Sequence, residues 1–70
     1  MASFKYFVLN GERYSTDYNL TILELLYYFN YNNILIVLEY NNKIYNKEDW
    51  NNIIINNNDK IEIVTIVGGG

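Results

Sequence analysis

One helical stripe sets what this chain can become. Ile22, Leu25, Leu26 and Phe29 fall at i, i+3, i+4 and i+7, a single apolar helix face, in a sequence otherwise made of strand formers and turn formers. Thr21 and Glu24 stand three residues apart at its start. That is the spacing of a capping box, in which the threonine hydroxyl accepts from the third helical N–H and the glutamate reaches back to the cap. The helix is predicted to run to about Tyr31, with Asn32-Asn33 closing it, because asparagine tolerates the left-handed conformation. One helix covers one face of a sheet, so the other face of any sheet built here must meet solvent or a partner.

The strands are legible from their punctuation. Residues 4–9 are β-rich, and Asn10-Gly11 follows, a strong signal for a type I′ hairpin turn. A second strand is expected over residues 12–17. After the helix, residues 34–40 form an apolar run expected to be a strand buried on both faces. Asn41-Asn42 makes another turn, Ile44-Tyr45 a short strand, and Lys47-Glu48-Asp49-Trp50 a turn or short helical piece with Trp50 plugging the side of the core. Ile53-Ile54-Ile55 reads as a short extended piece and Asn56-Asn57-Asn58-Asp59 as a loop. Residues 61–67 form the last strand. Whether the first strand points Phe4, Tyr6 and Val8 or Lys5, Phe7 and Leu9 inward is not decided by the pattern.

A hairpin, a crossover helix and further strands imply an α+β chain: a mixed sheet of about five strands, the last paired in its middle, with one main helix across it. This is the β-grasp, or ubiquitin-like, architecture. Residues 1–67 would form that domain and residues 68–70 a glycine tail.

The residue inventory excludes much chemistry. Among 70 residues there is no histidine and no cysteine, so the usual general base and the thiolate metal ligands are missing. No catalytic residue and no metal site is expected; the adjacent Glu48 and Asp49 read as a solvated turn. The net charge of −3, with five scattered basic residues, argues against nucleic acid. No apolar run approaches the roughly 20 residues that span a bilayer, and residues 1–5 lack a signal-peptide core. The expectation is a soluble protein. Asn, Ile, Tyr, Lys and Phe are abundant and share A/T-rich codons, which fits a plastid genome or a low-GC bacterium.

What remains is the end of the sequence. The last strand alternates Ile61, Ile63 and Thr65 on one side with Glu62, Val64 and Ile66 on the other. Val64 and Ile66 are therefore expected on the uncovered face, with Tyr6 and Val8 beside them, as a partner surface leading through Val67 into Gly68-Gly69-Gly70. Three extended residues reach about 10 Å. Without side chains they could thread a narrow tunnel and place the Gly70 carboxylate in another protein's active site.

The same residues resemble the ThiS family, the sulfur carriers of thiamine biosynthesis. The resemblance rests on Thr21-Ile22-Leu23-Glu24-Leu25-Leu26, Val37-Leu38-Glu39-Tyr40-Asn41, Glu48-Asp49-Trp50, and the run from Asp59-Lys60-Ile61 to Gly68-Gly69-Gly70, and covers nearly the whole chain. Two positions depart from the family's habit: Asn46 stands where a proline is common, and Asn58 where a glycine is common. The resemblance implies Phe7 and Leu9 inward. It also implies a cycle in which a ubiquitin-activating-type adenylyltransferase, using ATP and Mg²⁺, adenylates Gly70. Sulfur from a cysteine desulfurase then replaces AMP, and the thiocarboxylate serves a thiazole synthase. The small subunit of molybdopterin synthase and a ubiquitin-like protein modifier remain alternatives, as does a plain binding domain whose glycines are a cloning remnant.

Overall fold

The computed structural model describes residues 3–31 and 35–66. Five strands form one sheet: β1 (Lys5–Leu9), β2 (Glu12–Thr16), β3 (Ile36–Tyr40), β4 (Lys43–Tyr45) and β5 (Asp59–Thr65). Their order is β2-β1-β5-β3-β4, so the last strand lies in the centre, parallel to β1 and antiparallel to β3. Helix α1 (Ile22–Tyr28) crosses one face, and a 3₁₀ helix (Lys47–Asn52) packs at its side.

Two hairpins organise the sheet, and both turn on asparagine. Asn10 and Gly11 take φ of 50° and 82°, and Asn41 and Asn42 take 51° and 70°, the pair of positive values that a type I′ turn requires. Each first asparagine also clamps β5. The Asn10 N–H donates to the Ile61 carbonyl at 2.9 Å, and its Oδ1 accepts from the Ile63 N–H at 2.7 Å. From the other side, the Asn41 N–H donates to the Lys60 carbonyl and its Oδ1 accepts from the Lys60 N–H, both at 2.8 Å. The turns that close the hairpins thus fix the register of the central strand.

The capping box forms as expected: the Glu24 N–H donates to Thr21 Oγ1 and the Thr21 N–H to Glu24 Oε1. The helix ends earlier than the periodicity implies. Asn30 adopts φ of 63°, its N–H donates to the Tyr27 carbonyl, and the Tyr31 N–H reaches back to that of Leu26. This Schellman closure satisfies the carbonyls that the helix end leaves open. Asn30 therefore takes the role assigned to Asn32 and Asn33, which lie outside the described residues.

Phe7, Leu9, Ile22, Leu25, Leu26, Leu38, Trp50, Ile55, Ile61 and Ile63 form the buried core between sheet and helix. Phe7 and Leu9 point inward. Trp50 seals the side, its indole N–H donating to the Tyr45 carbonyl at 3.1 Å. The 53–55 piece is extended and bridges the helix start, with Ile54 opposite Thr21 and the buried Ile55 donating to the Leu20 carbonyl.

Two expectations about the strands need correction. β3 is not buried on both faces: Val37 and Leu35 are exposed, because only the face carrying Ile36, Leu38 and Tyr40 has a helix above it. The 56–59 segment is a loop only as far as Asn58. Asp59 begins β5 and is the one buried charged residue among those described. Its carboxylate accepts from the Tyr40 hydroxyl, from Asn41 Nδ2 at 3.0 Å and from the Asn56 N–H at 2.6 Å. Burial first, then that hydrogen bond to Asp59, pushes the Tyr40 hydroxyl well above the ordinary tyrosine range.

Candidate functional site: the uncovered face and the strand that leads to the tail

The far face of the sheet carries no helix. Its residues are set by strand alternation: Arg13 and Ser15 from β2, Tyr6 and Val8 from β1, Lys60, Glu62 and Val64 from β5, Val37 and Glu39 from β3, and Ile44 from β4. Val64 is 62% exposed and Ile66 47%, where the sequence reading placed both.

Their neighbours differ from the expectation. Tyr6 and Val8 share the face, but Val8 pairs with Lys60, at the opposite end of β5. Beside Val64 lies Val37, its partner across the β3–β5 ladder. Beyond the ladder, the Ile66 N–H donates to the Leu35 carbonyl at 2.8 Å, which keeps the chain against the sheet one residue past β5. Leu35 is 70% exposed and Ile44 is also open. Val37, Val64, Leu35 and Ile66 thus form an apolar patch at the C-terminal end of β5, with Ile44 to one side. Sequence reasoning missed Leu35, Val37 and Ile44. The missing signal was register: only the pairing of Val37 with Val64 shows that β3 supplies the other half of the patch. Val67, Gly68, Gly69 and Gly70 lie outside the described residues.

The face is charged at its middle. Glu39 and Glu62 oppose each other across the ladder, and Lys60 Nζ lies 3.2 Å from Glu62 Oε1. Arg13 stacks over the Tyr6 ring, 4.9 Å from its centroid, toward the other edge. Among the described residues, no group of three or more acidic residues gathers closely enough to hold a metal. No helix among them is long and apolar enough to cross a membrane.

The sheet order, the single crossing helix and the central last strand define a ubiquitin-like β-grasp protein. The chain belongs to the ThiS family, whose sequence profile matches residues 7–70. It is thereby a sulfur-carrier-type protein, of a family that carries rather than catalyses and that works generally with adenylating and sulfur-transfer enzymes. It is 58% identical over 66 residues to the uncharacterized protein ycf40 of Trieres chinensis, covering 94% of this chain and 90% of that one. It is 37% identical over 62 residues to the uncharacterized protein ycf40 of Porphyra purpurea, covering 89% and 87%. Its fold matches the crystal structure of the thiamine biosynthesis protein ThiS from Geobacter metallireducens, with a TM-score of 0.77 and 22% identity, over 93% of this chain and 99% of that one.

Proposed function

We propose that this chain is the sulfur carrier for thiazole formation in thiamine biosynthesis, and that Gly70 is its reacting residue. The observation that carries the reading is the central strand. β5 lies at the centre of the sheet, it bears the exposed Val64 with the exposed Ile66 one residue beyond it, and the sequence continues from there to Gly68-Gly69-Gly70. A sheet with an apolar docking face would, on this reading, present a side-chain-free thread to the partner.

The chemistry follows from the carboxylate. A carboxylate is a weak electrophile, so the Gly70 oxygen first attacks the α-phosphate of ATP, held with Mg²⁺ by the adenylyltransferase, and pyrophosphate leaves. A persulfide sulfur from a cysteine desulfurase system then attacks the acyl carbon and AMP leaves. A thiol cleaves the resulting acyl disulfide and frees the thiocarboxylate, a sulfur nucleophile for thiazole synthase. This chain holds no catalytic group in that cycle. Val64, Ile66 and Val67 would dock on the adenylyltransferase while Gly68, Gly69 and Gly70 enter its active site. The A/T-biased residue usage and the kinship with the ycf40 proteins favour the plastid stroma over a bacterial cytoplasm as the place of action.

The test is intact mass after incubation with ATP, the adenylyltransferase and a sulfur donor. The carrier gains about 16 Da as sulfur replaces oxygen at an activated acyl carbon. A chain lacking Gly69 and Gly70 folds but gains nothing. A truncated chain that still acquires sulfur refutes the assignment of Gly70. Isopeptide conjugates to other proteins, in place of a stable thiocarboxylate, refute the carrier role.

A further inference from the structure

We propose that Glu39 and Glu62 together form the receptor for an arginine of the adenylating enzyme, so that the apolar face docks only on a surface that carries such a cation at its centre. The inference rests on the carrier reading above and deepens it by naming the partner's chemistry.

Glu39 and Glu62 are direct partners across β3 and β5 on the uncovered face. Residues so placed have Cβ atoms about 4.5–5.5 Å apart, and like charges there repel. The free protein offsets this only in part. Lys60 reaches Glu62 at 3.2 Å, but both side chains are about half exposed, so the pair is weak. Glu39 joins no ion pair among the described residues. Arg13 lies over Tyr6 and Lys43 lies 5.3 Å from the centre of the Tyr45 ring, and neither forms an ion pair with Glu39 or Glu62 among the described residues. The face therefore holds two carboxylates with one local countercharge.

The surroundings say what fits. The next pair along the ladder on the same face is Val37 with Val64, and Ile44 sits across from Glu39 on the other side. An apolar border of this kind excludes water when a partner docks, which strengthens any ionic contact inside it and penalises an unpaired charge. A cation must then come from the partner. A guanidinium, planar with five donors, can bridge two carboxylates at once, whereas an ammonium is a point charge. Position matters as well. Glu62 precedes Ile66 by four residues, roughly 13 Å at about 3.3 Å per residue. The ionic anchor would hold the sheet within that distance of Ile66, the last described residue before the glycines.

The experiment compares wild type with the double variant E39Q/E62Q as substrates of the adenylating enzyme from the same host, at low and high salt. The expected result is a carrier KM raised about 10-fold, equivalent to 1.4 kcal/mol, with kcat unchanged. Its KM should lose most of its salt dependence, while the unfolding midpoint stays equal or rises because a repulsion is gone. An unchanged KM with unchanged salt dependence overturns the proposal. So does a KM increase that tracks a fall in unfolding midpoint, which would mark a structural defect. The two readings fail separately. A wild-type chain that is never adenylated removes the carrier function and this inference with it; a wild-type chain adenylated no better than E39Q/E62Q removes the acid-pair receptor alone.

Discussion

Replacing Asp59 with alanine tests the physical account of how the central strand is held. Asp59 is 7% exposed and its carboxylate accepts three hydrogen bonds, from Tyr40, Asn41 and Asn56. Bonds to a charged group contribute roughly 1.5–3 kcal/mol each, but only where the released partner cannot find water. Asn41 and Asn56 are exposed and rehydrate on truncation. Tyr40 is half-buried and recovers only part of its solvation. The cost of Asp59→Ala should therefore be about 2–4 kcal/mol, not three full bonds. A chain of 70 residues has about 3.5–10 kcal/mol in total at the usual 0.05–0.15 kcal/mol per residue, so the loss is large. Urea unfolding followed by fluorescence of the single tryptophan, Trp50, reads it directly. Tyr40→Phe should cost about 1–1.5 kcal/mol. The double variant should cost less than the sum, because each single change already breaks the same bond. An Asp59→Ala effect below about 0.5 kcal/mol, the range of an ordinary surface substitution, or strict additivity with Tyr40→Phe, would refute the reasoning.

Three further outcomes follow from the same structure. Because the Tyr40 hydroxyl is held protonated in the fold while an unfolded tyrosine ionises near pH 10, its contribution is complete below that pH and is lost as pH rises above it, by up to about 1.4 kcal/mol per pH unit; Tyr40→Phe should lose stability less steeply above pH 10 in urea titrations, and parallel slopes would count against the assignment. Asn58 has φ of 70°, so Asn58→Gly should be neutral or slightly stabilising while Asn58→Ala costs about 1 kcal/mol, and equal midpoints for the two would contradict the backbone argument. Val64→Asp on the exposed face should leave the unfolding midpoint within about 0.5 kcal/mol of wild type while slowing adenylation, and an unaltered adenylation rate would exclude the patch from docking.

The fold was legible because its signals are local. Asn10-Gly11, the Thr21–Glu24 box and the Ile22, Leu25, Leu26 stripe each act within a few residues, and each formed where the sequence placed it. The departures arise where distant strands decide. Asp59 sits in a run of turn formers, yet pairing with Phe7 and capture by Tyr40 and Asn41 make it the first residue of β5. Residues 34–40 are apolar in sequence, and nothing local says that Leu35 and Val37 face away from the helix. The two departures from the family's residue habit are explained by backbone geometry. Asn58 adopts the positive φ for which glycine is the usual choice, and Asn46 takes φ of −77°, within the range of a proline ring.

The candidate site divides in the same way. Val64 and Ile66 could be placed from alternation along a single strand, but their partners Val37 and Leu35, and the opposition of Glu39 and Glu62, exist only once β3 is aligned on β5. That alignment is secured by asparagine side chains at the other end of the sheet, where Asn10 and Asn41 fix β5 from both flanks. A slip of one residue would turn every side chain of β5 over, burying Glu62 and Val64 and exposing Ile61 and Ile63. The turns therefore act at a distance: they specify which face of β5 is exposed, and so, on the proposed carrier reading, whether a partner would meet Val64 and Glu62 or a core strand turned inside out.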